Sequence, residues 1–414
     1  MALPWAQKNL SPISIDFGAD SLKLLQISTD EPPHMVAAAA LEIPQATRKD
    51  RAAYGAFVTQ ALKQLLRQGK FKGKRAVASI SASSTYVQHI RLPKGELADI
   101  EPQLEGELRG RLPMDPSQMV LRHVPVGEVF ADGVAKQEII CMAASREVVM
   151  QHVLMARGAG LNVVGMHCEP MAVMAAFSHL FRRVDDANRT TLFIDMGCAT
   201  TKVMIAHGLQ LVFAKNIEVA GEHFTHEAAR FYGLGFAETR LHRIEIASTE
   251  LAQAQEAAAR PGEVKPARLP RAAQQMGSPL AAAQAAMRAE QEAGGGTAVA
   301  AAVVAPPDQR PVTAAPEDEM LDCLLDELQL CVGYHGSTFP DRNVEKIVFL
   351  GGEARHIEMC QRIAAALRLP AQLGDPLARL SRGPGGCAPV GLDLRHGQPG
   401  WAVPLGLCLL PTNL

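Results

Sequence analysis

TLFIDMGCATTK (residues 191–202) reads as a buried strand that ends on an acid and breaks into a tight turn. Leu192, Phe193 and Ile194 make the strand, Asp195 ends it, Gly197 opens the turn, and Thr200, Thr201 and Lys202 follow. PISIDFGADSLK (residues 12–23) repeats the pattern with Asp16, Gly18, Ser21 and Lys23. Both copies obey Asp-x-Gly-x-x-[Ser/Thr]-x-Lys, and each leads into another apolar strand, 24–27 in the first and 203–205 in the second. One Asp-x-Gly turn means little, because Asp commonly caps its own backbone. Two copies with matching hydroxyl and Lys offsets point to a duplicated β-unit.

The pattern suits phosphate and metal. A Gly-rich turn lets backbone N–H groups approach phosphate oxygens, hydroxyls add donors, and Lys adds a point charge. The carboxylates of Asp16 and Asp195 would hold Mg²⁺ through water, because Mg²⁺ keeps much of its hydration shell. Two such hairpins facing each other would clamp one polyphosphate.

The bulk properties narrow the class. A chain of 414 residues suggests two or three domains. A net charge of −2 gives no global field for nucleic acid or an anionic membrane. Eight cysteines without a CxxC pair argue against a structural zinc and for free thiols in a reducing cytoplasm. The N-terminus, MALPWAQKNL, does not read as a signal peptide, and no run of 18 apolar residues suggests a membrane span.

Along the chain, residues 11–43 read as a β-meander, and Tyr54, Phe57, Val58, Ala61, Leu62, Leu65 and Leu66 mark one buried helix face that Gly69 would stop. Residues 75–144 read as a small α/β insert opened by a strand at 77–80, with a helix over 97–112. A helix over 145–160 and a strand over 162–166 precede Glu169-Pro170, which starts another helix. Glu169 is either a capping carboxylate favoured by the helix dipole or a carboxylate aimed at a nucleotide between lobes. Gly221 opens a helix whose His223 and His226 read as surface residues, since no third metal ligand is in view. Residues 251–316, rich in Ala, Pro and Gly, read as a flexible insertion. The strand at 344–350 ends on Gly351 and Gly352 before a helix, a junction that lets backbone pass close to a ligand. Trp401 to Leu410 reads as a short apolar element.

Two Asp-x-Gly hairpins, a Glu-Pro helix between them and a late Gly-Gly junction resemble the actin/Hsp70/sugar-kinase ATPase superfamily. Within it the chain is similar to the PilM family of actin-like type IV pilus assembly proteins, and more distantly to the related FtsA. The similarity covers nearly everything outside 251–316, including the insert (KRAVASISASSTYVQHIRLP, ELRGRLPMDPSQMVLRHVPVG) and VEKIVFLGGEARHIEMCQRIAAALRLPAQLGDPLARL.

The resemblance implies an α/β actin-like fold of two lobes, each built on a duplicated mixed β-sheet flanked by helices. The first lobe would span 1–74 and 145–188, with the insert at 75–144. The second would span 189–235 and 344–414, with its own subdomain at 236–343. It implies ATP and Mg²⁺ as cofactors. The catalytic acids would be Asp16, Glu169 and Asp195, and Gly18, Ala19, Ser21, Lys23, Gly197, Ala199, Thr200, Thr201, Gly221, Gly351 and Gly352 would bind the nucleotide. Ala19 and Glu222 depart from the family pattern, as does the Gly-Gly-Glu-Ala-Arg-His junction, and no adenine contact is assigned around Arg240 to Arg243. At most a slow ATPase is implied.

The partner implied is the cytoplasmic N-terminus of a PilN-like inner-membrane protein, alongside other pilus inner-membrane components and a second copy of the chain through self-association. It would be held in a groove between residues 145–160 and 76–91, which places the chain in the cytoplasm, peripheral to the membrane. The alternatives are a nucleotide-free scaffold of a secretion or pilus system and an FtsA-like division filament, the latter disfavoured because the chain stops at Leu414 with no room for a membrane helix. A sugar kinase would need a substrate base, and none is in view.

Overall fold

A computed structural model describes residues 9–48, 50–93, 97–131, 133–181, 183–259, 317–382 and 389–412. Strands β1 (Ile13–Phe17), β2 (Ser21–Ile27) and β3 (His34–Glu42) are followed by helices α1 (Gln45–Arg48) and α2 (Arg51–Gln68). The carboxylate of Asp50 caps α2 by accepting the N–H groups of Ala52 and Ala53 at 2.8 and 3.0 Å. Next come β4 (Arg75–Ile80), β5 (Tyr86–Pro93), α3 (Leu97–Leu108), β6 (Met119–Ala131), β7 (Val134–Ser145), α4 (Arg146–Gly158), β8 (Asn162–Cys168) and α5 (Glu169–Phe177). The second half runs β9 (Thr190–Met196), β10 (Thr201–His207), β11 (Gln210–Ile217), α6 (Gly221–Tyr232), α7 (Phe236–Ala259), α8 (Asp318–Thr338), β12 (Lys346–Leu350), α9 (Ile357–Leu367), β13 (Ala371–Leu373), β14 (Ser381–Arg382) and α10 (Ala402–Leu409).

These strands form a six-stranded sheet of order β14-β3-β2-β1-β4-β8, a five-stranded sheet of order β11-β10-β9-β12-β13, and a three-stranded sheet of order β5-β7-β6. The two larger sheets repeat one plan. An antiparallel three-strand meander begins at the motif strand, and that strand also pairs in parallel with a later one, β1 with β4 and β9 with β12. The duplication read in the sequence is therefore a duplication of the whole sheet core. The parallel strands β9 and β12 are buried along nearly their full length, as expected where helices cover both faces.

Four details differ from the sequence reading. The strand expected to open the insert, β4, lies in the six-stranded sheet between β1 and β8, so the insert proper begins after it. Helix α3 ends at Leu108 rather than Leu112. Residues 251–259, expected to begin the flexible insertion, continue α7, with Leu251 buried in the second lobe's core. The rest of that insertion, 260–316, lies outside the described residues. The chain after β13 does not stay with the second lobe: β14 joins the edge of the first sheet, and α10 packs on α5, β1 and β2. Gly406 permits this crossing, since a Cβ there would sit 1.7 Å from the carbonyl oxygen of Ala172 in α5.

Candidate functional site

Helix α5 lies between the lobes, touching β8 and β4 on one side and β10 and β11 on the other. Its first residue, Glu169, is 5% exposed and faces the ends of β1 and β9. There the two hairpins oppose each other across a cavity of about 240 Å³. Asp16, Gly18, Ala19, Ser21, Lys23, Glu169, Asp195, Gly197, Ala199, Thr200, Gly351 and Gly352 all line it. Twelve of the fourteen site residues read from the sequence thus meet in one place.

The remaining two sit apart from it. Thr201 is fully buried in β10 and its hydroxyl donates to the Val219 carbonyl at 2.7 Å. Gly221 lines an adjoining chamber of about 180 Å³ with Arg243 and Phe236. That chamber shares Asp20, Cys198, Gly352, Glu353 and Arg355 with the main cavity. The sequence reading did not assign Ser81, Ser83, Arg355 or Trp401, which also line the main cavity. The Trp401 signal was visible as an apolar element, but only its return to the first lobe makes it a cleft residue.

The motif's Asp-to-Lys spacing has a direct geometric meaning. In each hairpin the Lys stands opposite the Asp, Asp16 across from Lys23 and Asp195 across from Lys202. Directly opposed residues share a face and interact. Lys23 Nζ lies 3.9 Å from the Asp16 carboxylate and donates to the Gly400 carbonyl at 2.8 Å, with its side chain partly open to the cleft. Lys202 is buried, and its Nζ lies 2.9 Å from Asp195 Oδ2 and 2.7 Å from Glu169 Oε2. The motif alone would have it offer charge to phosphate, but it is engaged with two carboxylates of its own chain. Burial works against its charge, yet Asp195 and Glu169 outweigh burial and hold its pKa well above the ordinary lysine value.

The other acids are equally committed. Glu169 Oε1 accepts the Ala82 N–H at 3.1 Å. Asp16 accepts the Ser79 hydroxyl at 3.1 Å. Burial pushes the Asp16 carboxyl up to about 6, against the pull of Lys23 and with a further push from Glu169. Gly351, at φ 89°, lets the strand end pass against the second hairpin, where a Cβ would sit 2.1 Å from Met196 O and 2.6 Å from Asp195 Oδ1.

The far wall of the adjoining chamber is ionic. Arg243 Nη2 donates to Glu353 at 2.7 Å and Nε to Glu317 at 2.6 Å, while its guanidinium lies over the Phe224 ring. Burial opposes its charge, and Glu353 and Glu317 more than restore it. Two arginines make three further ion pairs across the cleft mouth. Arg240 of α7 reaches Asp20 at 2.9 Å and also Glu42, and Arg48 of α1 reaches Glu222 of α6 at 2.8 Å. Among the described residues no group of three or more His, Cys, Asp or Glu is placed to hold a metal ion, His223 and His226 included.

Two lobes repeating one sheet core around a cleft of this kind define an actin-like ATPase fold. A family model described as type IV pilus assembly protein PilM matches residues 14–251, more than half of the chain. The chain belongs to the PilM family. Its fold is similar to that of a PilM-PilN type IV pilus biogenesis complex, with a TM-score of 0.66 at 18% identity, covering 96% of this chain and 98% of that one. Weaker likenesses include the ethanolamine utilization protein EutJ from Carboxydothermus hydrogenoformans (TM-score 0.45, 13% identity, 99% of this chain and 91% of that one). Another is MreB5 of Spiroplasma citri bound to ADP (TM-score 0.42, 11% identity, 96% and 95%). No curated protein matches the sequence.

Proposed function

We propose that this chain is a nucleotide-gated adaptor of type IV pilus assembly, acting at the cytoplasmic side of the inner membrane, where it captures the short N-terminal segment of a PilN-like membrane protein. The observation that carries the nucleotide half is the meeting of both Asp-x-Gly hairpins across one cleft. The residues present fit a polyphosphate: Ser21 and Thr200 hydroxyls, the Lys23 ammonium and two Gly-opened turns line the same cavity. The adjoining chamber between Gly221 and Gly352 would take the nucleoside. Bound ATP supplies a chain of negative charge that bridges the two lobes.

The chain's own residues do the rest. Lys23 meets that charge, Gly351 keeps the junction close to the second hairpin, and Glu169 fixes the inter-lobe helix through Ala82 and Lys202. Because Glu169 is fully engaged, this site is suited to holding nucleotide rather than to rapid turnover. Family membership supports the pilus role, and the fold likeness to a protein solved with PilN supports the partner class. Among the described residues no helix is long and apolar enough to cross a membrane, in keeping with attachment through a partner.

The test is a pair of calorimetric titrations, ATP and a synthetic peptide of the partner's cytoplasmic N-terminus, each repeated with the other present. The expected result is reciprocal coupling of about 5- to 150-fold. Peptide binding that is blind to saturating ATP would end the gating claim, and no peptide binding would end the adaptor claim.

A further inference from the structure

The Mg²⁺ expectation does not fit the donor set in this cleft. Mg²⁺ demands near-octahedral oxygens at about 2.1 Å and room for several waters. Of the two carboxylates expected to hold it, Asp195 closes on the Lys202 ammonium at 2.9 Å, joined there by Glu169 at 2.7 Å, and Asp16 accepts the Ser79 hydroxyl at 3.1 Å and faces Lys23 at 3.9 Å. We infer that Lys202 is the resident cation of the cleft, standing where a divalent metal would stand, so that this chain takes polyphosphate without a metal. The inference rests on the nucleotide reading above for its second half only.

Three features make Lys202 more than an incidental ion pair. Its position is fixed by backbone register, since β10 places it directly opposite Asp195. It joins the lobes, because Asp195 ends a strand of the second and Glu169 begins the helix that follows β8 of the first. Two further carboxylate oxygens are hydrogen-bonded, Glu169 Oε1 by the Ala82 N–H and Asp16 Oδ1 by the Ser79 hydroxyl, and Asp16 Oδ2 faces Lys23 at 3.9 Å. A metal entering between Glu169 and Asp195 would leave a buried ammonium beside a dication, a like-charge contact with no compensation. Lys23, partly open to the cleft, and Arg355, which also lines it, then remain as the cations facing a phosphate among the described residues.

The experiment uses the full chain and three variants, Lys202→Met, Lys202→Arg and the double variant Lys202→Met with Asp195→Asn. Mn²⁺ binding to the nucleotide-free protein is followed by electron paramagnetic resonance, and ATP affinity is measured in EDTA and in Mg²⁺. The native chain and Lys202→Arg are expected to bind no Mn²⁺ at the cleft, with ATP affinities agreeing within about twofold in the two buffers. Lys202→Met is expected to gain one Mn²⁺ site, lost again in the double variant, and to bind ATP at least tenfold better with Mg²⁺ than without.

A native chain that binds Mn²⁺, or whose ATP affinity falls tenfold in EDTA, overturns the inference. So does a Lys202→Met protein that melts cooperatively yet gains no Mn²⁺ site. If ATP binds in neither buffer while the Mn²⁺ results come out as expected, Lys202 is still the resident cation and it is the nucleotide reading that falls.

Discussion

The Tyr334 hydroxyl donates a 2.7 Å hydrogen bond to Glu138 Oε1, tying the second lobe's helix α8 to the middle strand of the insert's sheet. Glu138 is fully buried and also holds Arg91 Nε at 2.8 Å and His89 Nδ1 at 3.1 Å, while the His89 ring stacks on Phe213 of β11. Burial would raise its carboxyl, but the hydrogen bonds from His89, Arg91 and Tyr334 hold it below the usual glutamate value. The insert thereby covers the outer edge of β11, a strand edge that would otherwise invite pairing with another chain. Tyr334→Phe should lower stability by about 1.5–3 kcal/mol, the range for a hydrogen bond to a charged group. Urea unfolding would show it, together with faster hydrogen exchange along β5 and β11. Unchanged exchange there would mean that the insert is held by other contacts.

Gly351 makes the second testable point. Its positive φ and the 2.1 Å approach of a built Cβ to Met196 O leave no room for a side chain. Gly351→Ala is expected to destabilise the second lobe by about 2–4 kcal/mol, through strain and displacement of the Met196 backbone. The adjacent Gly352, where a Cβ would meet nothing within 4 Å, is the control, and its Ala variant should lie within about 0.5 kcal/mol of the native chain. Equal thermal shifts for the two would refute the argument.

The duplicated hairpins were legible because they couple two local signals, an apolar run ending on Asp and a Gly-opened turn, at matching spacing. Glu169 was legible as a helix start because Pro170 marks the first turn. The place of β4 was not, because Ala76, Val77 and Ala78 are buried on both faces and such a run names no neighbour. The return of α10 was hidden for the same reason: Ala402 through Cys408 is buried all round. Composition misled at residues 251–259, where an Ala- and Gln-rich stretch looks unable to pack, yet Leu251 and Ala254 dock into the second lobe's core. Lys202 shows a different limit. Its opposition to Asp195 follows from hairpin spacing, but its reach to Glu169 depends on how the lobes meet.

The cross-cleft pairs Arg240 with Asp20 and Arg48 with Glu222 set the third expectation. Each is partly exposed and adds at most about 1 kcal/mol to stability. Their larger effect is on the closed arrangement, since Arg240 must release both Asp20 and Glu42, and Arg48 must release Glu222, for the lobes to separate. The double variant Arg48→Ala with Arg240→Ala should keep its melting temperature within about 3 °C. It should also exchange amide hydrogens several-fold faster at residues 18–21 and 197–200. High salt should move the native chain the same way. Exchange rates matching the native chain in low salt would show that the lobes are held without these straps.

His335, near the end of α8, provides a pH signature. It is 1% exposed, its Nε2 has no hydrogen-bond partner, and it packs against the Phe339 ring. Burial lowers its pKa to about 4, helped by Arg342 and His207. An unfolded histidine takes its proton near pH 6.5, so between about pH 4 and 6.5 the unfolded chain binds more protons than the folded one. Stability from this group is complete above about 6.5 and is lost as pH falls toward 4, by on the order of 2–3 kcal/mol. His335→Leu removes the titration and the unpaired nitrogen together. The variant's stability should exceed that of the native chain at pH 5 and approach it near pH 7.5, as read from urea midpoints across the range. A native-minus-variant difference that stays flat from pH 4.5 to 7.5 would show that His335 takes up its proton equally in the folded and unfolded chain, so that burial does not lower its pKa.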